Sequence, residues 1–383
     1  MGTVAHTMRM PMTTSAEDAM RLALTLARGV RGFSSPNPPV GAVIVRDGTV
    51  VGEGATQPIG GLHAEIMALR MAGALAHDAT LYVTLEPHSF HGRTPPCTDA
   101  IIAAGIRTVQ IAMLDPNPRV HGAGVAQLQA AGLMVTVGLC VDEAAPLLAP
   151  FAHWLTTKRP LGIAKIAMSL DGKIATRTGQ SQWITGPDAR ERGHALRQAS
   201  DAILIGIGTA LADDPLLTTR LPTLPSEQIR HPLRVVVDST GRLPITARML
   251  HPTTPGRTLL ATTDRSDPAW RVAMIAAGAE VLVLPSSLNQ MVDLPALWDV
   301  LGERGMLTVL IEGGSALLGA AITTGLVQRV VAFIAPILIG GEAAPGSVGG
   351  LGITTLSDAL RLRWTAVERI GDDVLLAGDV VGG

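Results

Sequence analysis

The sequence predicts an α/β protein with two domains, and three observations lead to this class. Helix-like and strand-like runs alternate from Ser15 almost to the C-terminus. Several strand-like runs in the second half are continuously apolar, as parallel strands covered on both faces must be. A chain of 383 residues exceeds the size of a typical single core, so two domains are expected.

The N-terminal elements begin with a helix opened by Ser15, with Asp18 three residues on as an acidic variant of a capping box. An apolar run from Val40 predicts a strand, and Asp47-Gly48 predicts a tight turn to a partner strand. Further elements alternate helix and strand, in the order His63–Ala76, Leu81–Thr84, Cys97–Ala104, Val109–Met113, Val125–Ala131 and Met134–Val137. We therefore expect helices covering a sheet in a first domain over residues 15–145.

A polar, helical stretch from Asp142 to Arg159, closed by Pro160, separates this unit from a second domain over residues 160–383. Strands are predicted at Gly162–Ala167, Ala202–Ile205, Arg234–Val237, Thr258–Ala261, Val281–Leu284, Thr308–Ile311 and Val330–Ile334. Helices are predicted at Pro187–Gln198, Pro268–Ala277, Pro295–Glu303 and Ser315–Thr324. An antiparallel pair, Thr365–Ile370 and Val374–Gly378, is expected to close the chain across Asp372-Asp373.

Composition narrows the possible partners. Lys and Arg total 30 against 32 Asp and Glu, without a block of like charge, which argues against nucleic-acid or anionic-membrane binding. The longest strongly apolar run is about 12 residues, short of the roughly 20 that cross a bilayer. The two cysteines cannot form a disulfide framework. We expect a cytoplasmic protein that acts on small molecules and is able to form a homo-oligomer.

The most informative motif is His63-Ala64-Glu65, followed by a loop that contains His88 and Cys97. A hydrolytic deaminase needs Zn²⁺ to activate water and a carboxylate, not itself a ligand, to move protons to the leaving amine. This pattern predicts His63, His88 and Cys97 as metal ligands and Glu65 as the catalytic proton shuttle. The alternative without a functional metal site is a hydrogen-bonded loop histidine beside a buried free cysteine. His91 is a spare ligand candidate that more plausibly touches substrate.

Longer runs around this motif resemble the deaminase half of the bifunctional riboflavin-biosynthesis deaminase/reductase family. They are Asn37-Pro38-Pro39-Val40-Gly41, Glu86-Pro87, Gly92-Arg93-Thr94-Pro95-Pro96-Cys97 and Asp115-Pro116-Asn117-Pro118. The resemblance implies a cytidine-deaminase-like three-layer domain in which Asn37 holds the pyrimidine and Arg93 the phosphoribosyl group. The family usually reads Cys-Ser-His where this chain has His88-Ser89-Phe90.

Runs in the second half resemble the reductase half of the same family, whose domain is similar to dihydrofolate reductase. Among them are Lys165 to Lys173, Ile205-Gly206-Ile207-Gly208-Thr209 and Glu312-Gly313-Gly314-Ser315. The resemblance implies NADPH binding by Ala167, Trp183, Thr209, Asp213, Ser239, Gly314, Ser315 and the rest of the segment to Ala320. It implies substrate binding by Ser181, Arg197, Leu217, Arg220 and Glu312. Lys165 and Asp213 are candidates for proton transfer during reduction.

The resemblance of both halves therefore implies a bifunctional enzyme of riboflavin biosynthesis. Its first domain would deaminate 2,5-diamino-6-(5-phosphoribosylamino)pyrimidin-4(3H)-one, and its second would reduce the ribosyl group with NADPH. Two alternatives stay open at this stage. One is a working reductase beside a silent deaminase domain, because of the changed His88-Ser89-Phe90 loop. The other is a deaminase of free nucleosides or RNA with a scaffolding second domain.

Overall fold

The computed structural model describes residues 14–92 and 95–381. The chain divides into two compact units, Met1–Leu155 and Thr156–Gly383. Each unit is built around its own β-sheet with helices packed on it. The predicted two-domain α/β class is confirmed. In the described residues, no helix combines the length and apolar character that a bilayer crossing requires.

The first unit alternates strands and helices. In chain order it contains α1 (Ala16–Gly29), β1 (Gly41–Arg46), β2 (Thr49–Ala55), α2 (Ala64–Ala72), β3 (Thr80–Val83), α3 (Cys97–Ala103), β4 (Thr108–Ile111), α4 (Ala123–Ala130), β5 (Met134–Val137) and α5 (Val141–Thr157). The strand order is β2-β1-β3-β4-β5, with β2 and β3 antiparallel to β1, and with β3, β4 and β5 parallel.

Alternate residues of β1 face opposite layers of the first unit. Ala42 and Ile44 pack into a core shared with α2, α3 and α4. Val43 and Val45 pack into a second core shared with α1 and α5. Because the side chains of a strand point alternately to its two faces, this sheet lies between two helical layers.

Local sequence explains two features that place the first site. The Ser15 side chain accepts from the Asp18 N–H at the start of α1, as the capping pattern predicted. Asp47 and Gly48 take positive φ values of 49° and 75°, which gives the hairpin turn between β1 and β2. The register of this hairpin sets β2 beside α2.

The second unit has a larger sheet. Its elements are β6 (Leu161–Ser169), α6 (Pro187–Gln198), β7 (Ala202–Gly206), α7 (Ile207–Asp213), β8 (Leu233–Val237), β9 (Thr258–Thr262), α8 (Pro268–Ala276), β10 (Glu280–Val283), α9 (Leu294–Glu303), β11 (Thr308–Ile311), α10 (Ser315–Thr323), β12 (Arg329–Ala335), β13 (Arg361–Ile370) and β14 (Asp373–Val381). The strand order is β10-β9-β8-β7-β11-β6-β12-β14-β13.

The seven strands from β10 to β12 in that order are parallel, and β14 and β13 extend the sheet antiparallel. Buried side chains form separate clusters on the two faces, for example Leu204 and Val235 on one face and Ile203 and Val236 on the other. The parallel strands are thus covered on both sides, which explains their continuous apolar runs.

Two local predictions differ from the structure. Helix α7 follows β7 directly, where no helix was predicted; Gly206 is its N-cap residue, so the backbone enters a helix at once. The last turn consists of Gly371 and Asp372, because Ile370 pairs with Asp373. The expected turn at Asp372-Asp373 is therefore wrong by one residue, and Gly371 supplies the positive φ of 57° that the turn needs.

Candidate active sites

The first candidate site begins at the start of α2. His63 is the N-cap residue of this helix, and Glu65 lies in its first turn. Strand β2 approaches α2 so closely that a Cβ on Gly54 would lie 2.1 Å from the Ala64 carbonyl oxygen. Only glycine fits at this position. The close contact between β2 and α2 fixes the start of the helix, where the Glu65 side chain is buried, with 4% exposure.

The three predicted metal ligands come together in the first unit. Candidate ligand atoms of His63, His88 and Cys97 all lie within 4.8 Å of one another. Cys97 Sγ is 3.4 Å from His63 Nδ1, and the two imidazole ring centroids are 4.6 Å apart. The Thr98 N–H and hydroxyl both donate to the His88 carbonyl oxygen. Cys97 is the first residue of α3, and His88 lies in the loop between β3 and α3. These two elements therefore place His88 and Cys97 beside His63 at the start of α2.

Burial controls the electrostatics of this cluster. It lowers the pKa of His63 to about 4, with a further lowering by His88, so the ring is neutral and able to bind a metal. Burial raises the pKa of Glu65, while the Cys97 thiol donates to its carboxylate and opposes the rise. Burial and the Glu65 charge also raise the pKa of Cys97. The start of helix α3 favours the thiolate, and a bound cation would favour it further.

Other predicted residues of the first site lie outside this cluster or outside the described residues. Asn37 is in the turn before β1, where its N–H donates to the Ser34 carbonyl. His91 is exposed, so it is better described as a polar loop side chain than as a metal ligand. Arg93, predicted to bind substrate, lies outside the described residues. Phe90 packs edge-on against the His88 ring with centroids 5.7 Å apart.

Sequence reasoning missed the role of Glu86. Its buried carboxylate accepts four backbone N–H groups, from Asp115 and Gly122 on Oε2 and from Gly124 and Val125 on Oε1, at 2.9–3.2 Å. These bonds tie the loop after β4 and the start of α4 to the strand end that leads to His88. Glu86-Pro87 at a strand end was visible in the sequence, but the distant donors were not.

The second candidate site follows the carboxyl ends of parallel strands. Ala167 lies near the end of β6, Thr209 just after β7, Ser239 after β8 and Glu312 after β11. Neighbouring parallel strands end at the same edge of a sheet, and ligands of open α/β sheets bind at this edge. These four predicted residues thus lie at one edge of the second sheet.

Arg197 and Glu312 form the charged centre of this site. Arg197 Nε and Nη2 donate to the two carboxylate oxygens of Glu312 at 2.8 and 2.7 Å, and Nη1 donates to the Thr218 carbonyl. Burial would raise the pKa of Glu312, but Arg197, followed by Lys165, lowers it to about 2. Burial lowers the pKa of Lys165, whose Nζ lies 5.8 Å from the Phe333 ring centroid.

Two hydrogen bonds join residues predicted for different parts of this site. The Ser181 hydroxyl donates to Asp213 Oδ1 at 3.0 Å, which links a predicted substrate residue to a predicted cofactor residue. The Gly314 N–H donates to the Thr209 hydroxyl at 3.0 Å, which connects the start of α10 to α7. The glycine-rich start of α10 therefore lies beside the start of α7.

Four further predicted residues of the second unit differ from one another in exposure and in their contacts. Trp183 is exposed, with the Arg190 guanidinium 4.7 Å from its ring centroid. Ser239 is buried, and its hydroxyl accepts from the Val292 N–H. Ser315 is the first residue of α10, and its carbonyl accepts from the Gly349 N–H. Leu217 is buried with a positive φ of 54°.

Comparison with known families assigns both halves. The family described as "Cytidine and deoxycytidylate deaminase zinc-binding region" matches residues 13–113. The family described as "RibD C-terminal domain" matches residues 160–376. The two matches lie in the two units of the fold, in the predicted order. They confirm the predicted fold class and imply zinc and a nicotinamide cofactor.

Full-length relatives have the same organisation. The riboflavin biosynthesis protein RibD of Actinobacillus pleuropneumoniae is 43% identical over 360 residues, which cover 94% of each chain. The Escherichia coli protein of that name is 42% identical, over 93% of this chain and 97% of its own. Among solved structures, RibD of Acinetobacter baumannii has a TM-score of 0.82 at 35% identity, covering 96% of this chain and 99% of its own.

A Thermotoga maritima structure also matches, with a TM-score of 0.82 and 34% identity over 95% of this chain and 98% of its own. It is described as a diaminohydroxyphosphoribosylaminopyrimidine deaminase/5-amino-6-(5-phosphoribosylamino)uracil reductase. These relatives span both units of the fold, so the similarity is not limited to one domain.

Proposed function

The chain belongs to the RibD family of riboflavin biosynthesis and is a bifunctional deaminase and reductase; we propose that the two residue groups described above perform its two reactions. The first removes the 2-amino group of 2,5-diamino-6-(5-phosphoribosylamino)pyrimidin-4(3H)-one by hydrolysis. The second reduces the ribosyl group of the deaminated product and gives 5-amino-6-(5-phosphoribitylamino)uracil. We assign the deaminase to residues 15–145 and the reductase to residues 160–383.

The observation that carries the deaminase proposal is the convergence of His63, His88 and Cys97 beside buried Glu65. Two imidazoles and one thiol within 4.8 Å are a donor set that suits Zn²⁺ and leaves a fourth position open. When bound, zinc lowers the pKa of its water and so supplies the nucleophile near neutral pH. The three side chains would hold the metal; Cys97 is buried and the two histidines are half-buried.

Glu65 is the proposed proton carrier. It lies in the same helical turn as the ligand His63, and burial raises its pKa, so its carboxylate has a strong affinity for a proton. Its oxygen atoms would take a proton from the attacking water and deliver it to the departing amine. Asn37 and Arg93 would orient the pyrimidine and the phosphoribosyl group.

For the reductase, we propose that the nicotinamide cofactor is NADPH, which supplies the hydride when bound. The residues proposed to hold it are Ala167, Trp183, Thr209, Asp213, Ser239, Gly314 and Ser315. Small residues at the start of α10, joined to Thr209, suit a pyrophosphate. Because reduction at C1' also requires a proton, Lys165 and Asp213 are the candidates to provide it.

Substrate binding in the reductase is assigned to Ser181, Arg197, Leu217, Arg220 and Glu312. A ribose 5-phosphate dianion needs fixed cationic donors, and guanidinium groups meet this need with several N–H groups in one plane. Glu312 holds Arg197 through two hydrogen bonds, so this guanidinium is oriented before substrate binds.

The deaminase is tested by ammonia release from the diaminopyrimidine with zinc-loaded protein, without NADPH, in parallel with Glu65→Gln. Release that disappears in the variant supports the proposed site. Equal release by both proteins would exclude Glu65 as the proton carrier. NADPH oxidation on the deaminated substrate, with NADH as the comparison, tests the second unit and its cofactor choice.

The alternative of a reductase with a silent deaminase domain is not favoured by the comparisons, which match the whole chain to RibD proteins. It predicts NADPH oxidation without any ammonia release. The assay above would detect this outcome directly. Ammonia release would also have to be accompanied by bound zinc, measured by metal analysis of the same sample.

Two further features belong to the proposal. We infer a homo-oligomer, because the edge strand β13 exposes Trp364 and Val367, and exposed apolar edges favour pairing. Light scattering of the intact protein tests this. We also infer a cytoplasmic, reducing compartment, since the proposed ligand Cys97 must stay a free thiol.

A further inference from the structure

The segment Leu217 to Arg220 is held by an unusual pair of contacts. The Thr219 N–H donates to His231 Nδ1 at 3.2 Å, and the next N–H, of Arg220, donates to His194 Nδ1 at 3.3 Å. His194 lies on α6, and His231 lies shortly before β8. Two imidazoles from separate elements therefore accept consecutive backbone N–H groups of one loop.

We propose that His194 and His231 are positioning residues for the reductase: they fix the Thr219-Arg220 backbone so that the Arg220 guanidinium is aimed at the phosphate of the substrate. This inference rests on the proposed substrate-binding role of Arg220. Neither histidine is required to touch the substrate. Each acts through the backbone of the loop that carries the arginine.

The chemistry of the two rings fits this role. A ring nitrogen that accepts an N–H must be unprotonated, so each ring is neutral with its proton on Nε2. Burial, followed by Arg197 and Arg220, lowers the pKa of His194 to about 4. Burial and Arg234 lower the pKa of His231. Both rings therefore remain acceptors in the neutral pH range.

The charges explain why the loop needs fixing. After burial, Arg197, Arg220 and Lys165 lower the pKa of His194, while Glu312 opposes them. Cations therefore predominate around this ring, which suits an anionic phosphate. Partial desolvation, followed by the charges of Arg197 and Arg248, lowers the pKa of Arg220. Repulsion by these two cations opposes placing the Arg220 guanidinium beside them, so a fixed backbone at its base limits the positions that the group can take.

Two further hydrogen bonds hold the segment Leu217 to Arg220 at Thr218. Arg197 Nη1 donates to the Thr218 carbonyl at 3.1 Å, and Arg220 Nη1 donates to the Thr218 hydroxyl at 2.9 Å. The backbone of the loop is thus fixed at three consecutive residues, 218, 219 and 220, by three different side chains. Residues 217–219 are buried while the Arg220 side chain is exposed, as expected for a rigid base that presents one cation.

The test compares an acceptor-keeping with an acceptor-removing substitution. In His194→Asn the side-chain oxygen can take the place of Nδ1, whereas His194→Leu fills similar space without an acceptor. We expect His194→Leu to raise the reductase KM for the phosphorylated substrate roughly three- to tenfold, the value of one hydrogen bond, with little change in kcat. His194→Asn should restore most of the loss, and the same pair of variants at His231 should behave alike.

The thermal unfolding midpoint of the second unit, compared with that of the unchanged protein, serves as the folding control in every variant. A double-mutant cycle with Arg220→Met then separates positioning from general packing. If His194 acts through Arg220, His194→Leu has little further effect once the guanidinium is gone.

Equal losses in the Asn and Leu variants, additive losses in the cycle, or an unchanged KM in His194→Leu would each overturn the inference. If His194→Leu does not fold, the Asn variant and the His231 pair decide the matter. Absence of reductase activity in the unchanged protein would instead refute the proposed function, so the two failures can be told apart.

Discussion

The carboxylate of Glu86 offers a quantitative test of how the first unit holds the loop that carries His88, a proposed metal ligand. It accepts four backbone N–H groups, two on each oxygen. In Glu86→Gln the amide oxygen can serve one pair of donors, while the amide NH₂ faces the other pair. Two hydrogen bonds to a charged acceptor are lost, each worth at least about 1.5 kcal/mol.

The expected local destabilisation is therefore about 3 kcal/mol, or roughly a 100-fold increase in opening. Amide hydrogen exchange measures it, because protection reports the free energy of local opening. Peptides covering residues 114–126 should lose protection, whereas peptides from α1 should not. Zinc retention against a chelator should fall in parallel, since the strand end next to His88 loses its anchor.

A matched control is Glu143→Gln. This carboxylate also contacts charged groups, Arg21 at 3.0 Å and Arg28 at 3.6 Å, but it is exposed. Exposed ion pairs contribute about 0–1 kcal/mol, so exchange in residues 114–126 should stay unchanged. Similar exchange in the Glu86 and Glu143 variants would refute the view that the buried carboxylate organises the loop.

Three further predictions concern the same unit. Burial raises the pKa of Asp115 to about 6, so its stabilising contribution is present below about pH 4 and is lost as pH rises through 6. Asp115→Asn should therefore raise the free energy of unfolding at pH 8 by on the order of 2 kcal/mol, and with it the midpoint of thermal unfolding, and should give no advantage at pH 4. His88→Cys should preserve or raise zinc affinity in a chelator competition, because a second thiolate adds negative charge; a large loss of affinity and of deaminase activity would show that the ligand geometry differs. Gly54→Ala forces a Cβ to within 2.1 Å of the Ala64 carbonyl and should destabilise the unit by about 1–3 kcal/mol. Gly29→Ala, with nothing within 4 Å of the added Cβ, should be tolerated in the same thermal unfolding assay.

Much of the fold was predictable because its signals are local. The hairpin between β1 and β2 follows from Asp47-Gly48, whose residues take the positive φ values that such a turn needs. The parallel strands follow from apolar runs, since burial on both faces demands them. Helix α7 was missed because Gly206 and Gly208 are poor helix formers, so local propensity favoured a loop; packing of Ile207 and Ala210 in the core supports the helix.

The sites were predictable to the extent that their spacing is local. His63 and Glu65 share one helical turn, and Cys97 opens a helix, so sequence suggested both positions. The Glu86 network was not predictable, because its donors lie 29 to 39 residues away. No sequence pattern specifies which distant N–H groups a buried carboxylate will meet.

The two arginines of the reductase also have partners that are distant in sequence and could not be predicted from it. The resemblance implied one role for Arg197 and Arg220, as substrate-binding residues. In the structure Arg197 uses three N–H groups on Glu312 and the Thr218 carbonyl, and Glu312 offsets its charge. Two of its five N–H groups remain for a ligand.

Arg220 differs, because among the groups acting on it two are cations and one is the carboxylate of Glu312. We infer that Arg220 supplies most of the charge that binds a phosphate, while Arg197 mainly shapes the site. Loss of the Arg220 charge should therefore weaken substrate binding with the fold intact. Removal of the Glu312 charge should instead disturb the fold itself, because it leaves the Arg197 charge buried without its partner.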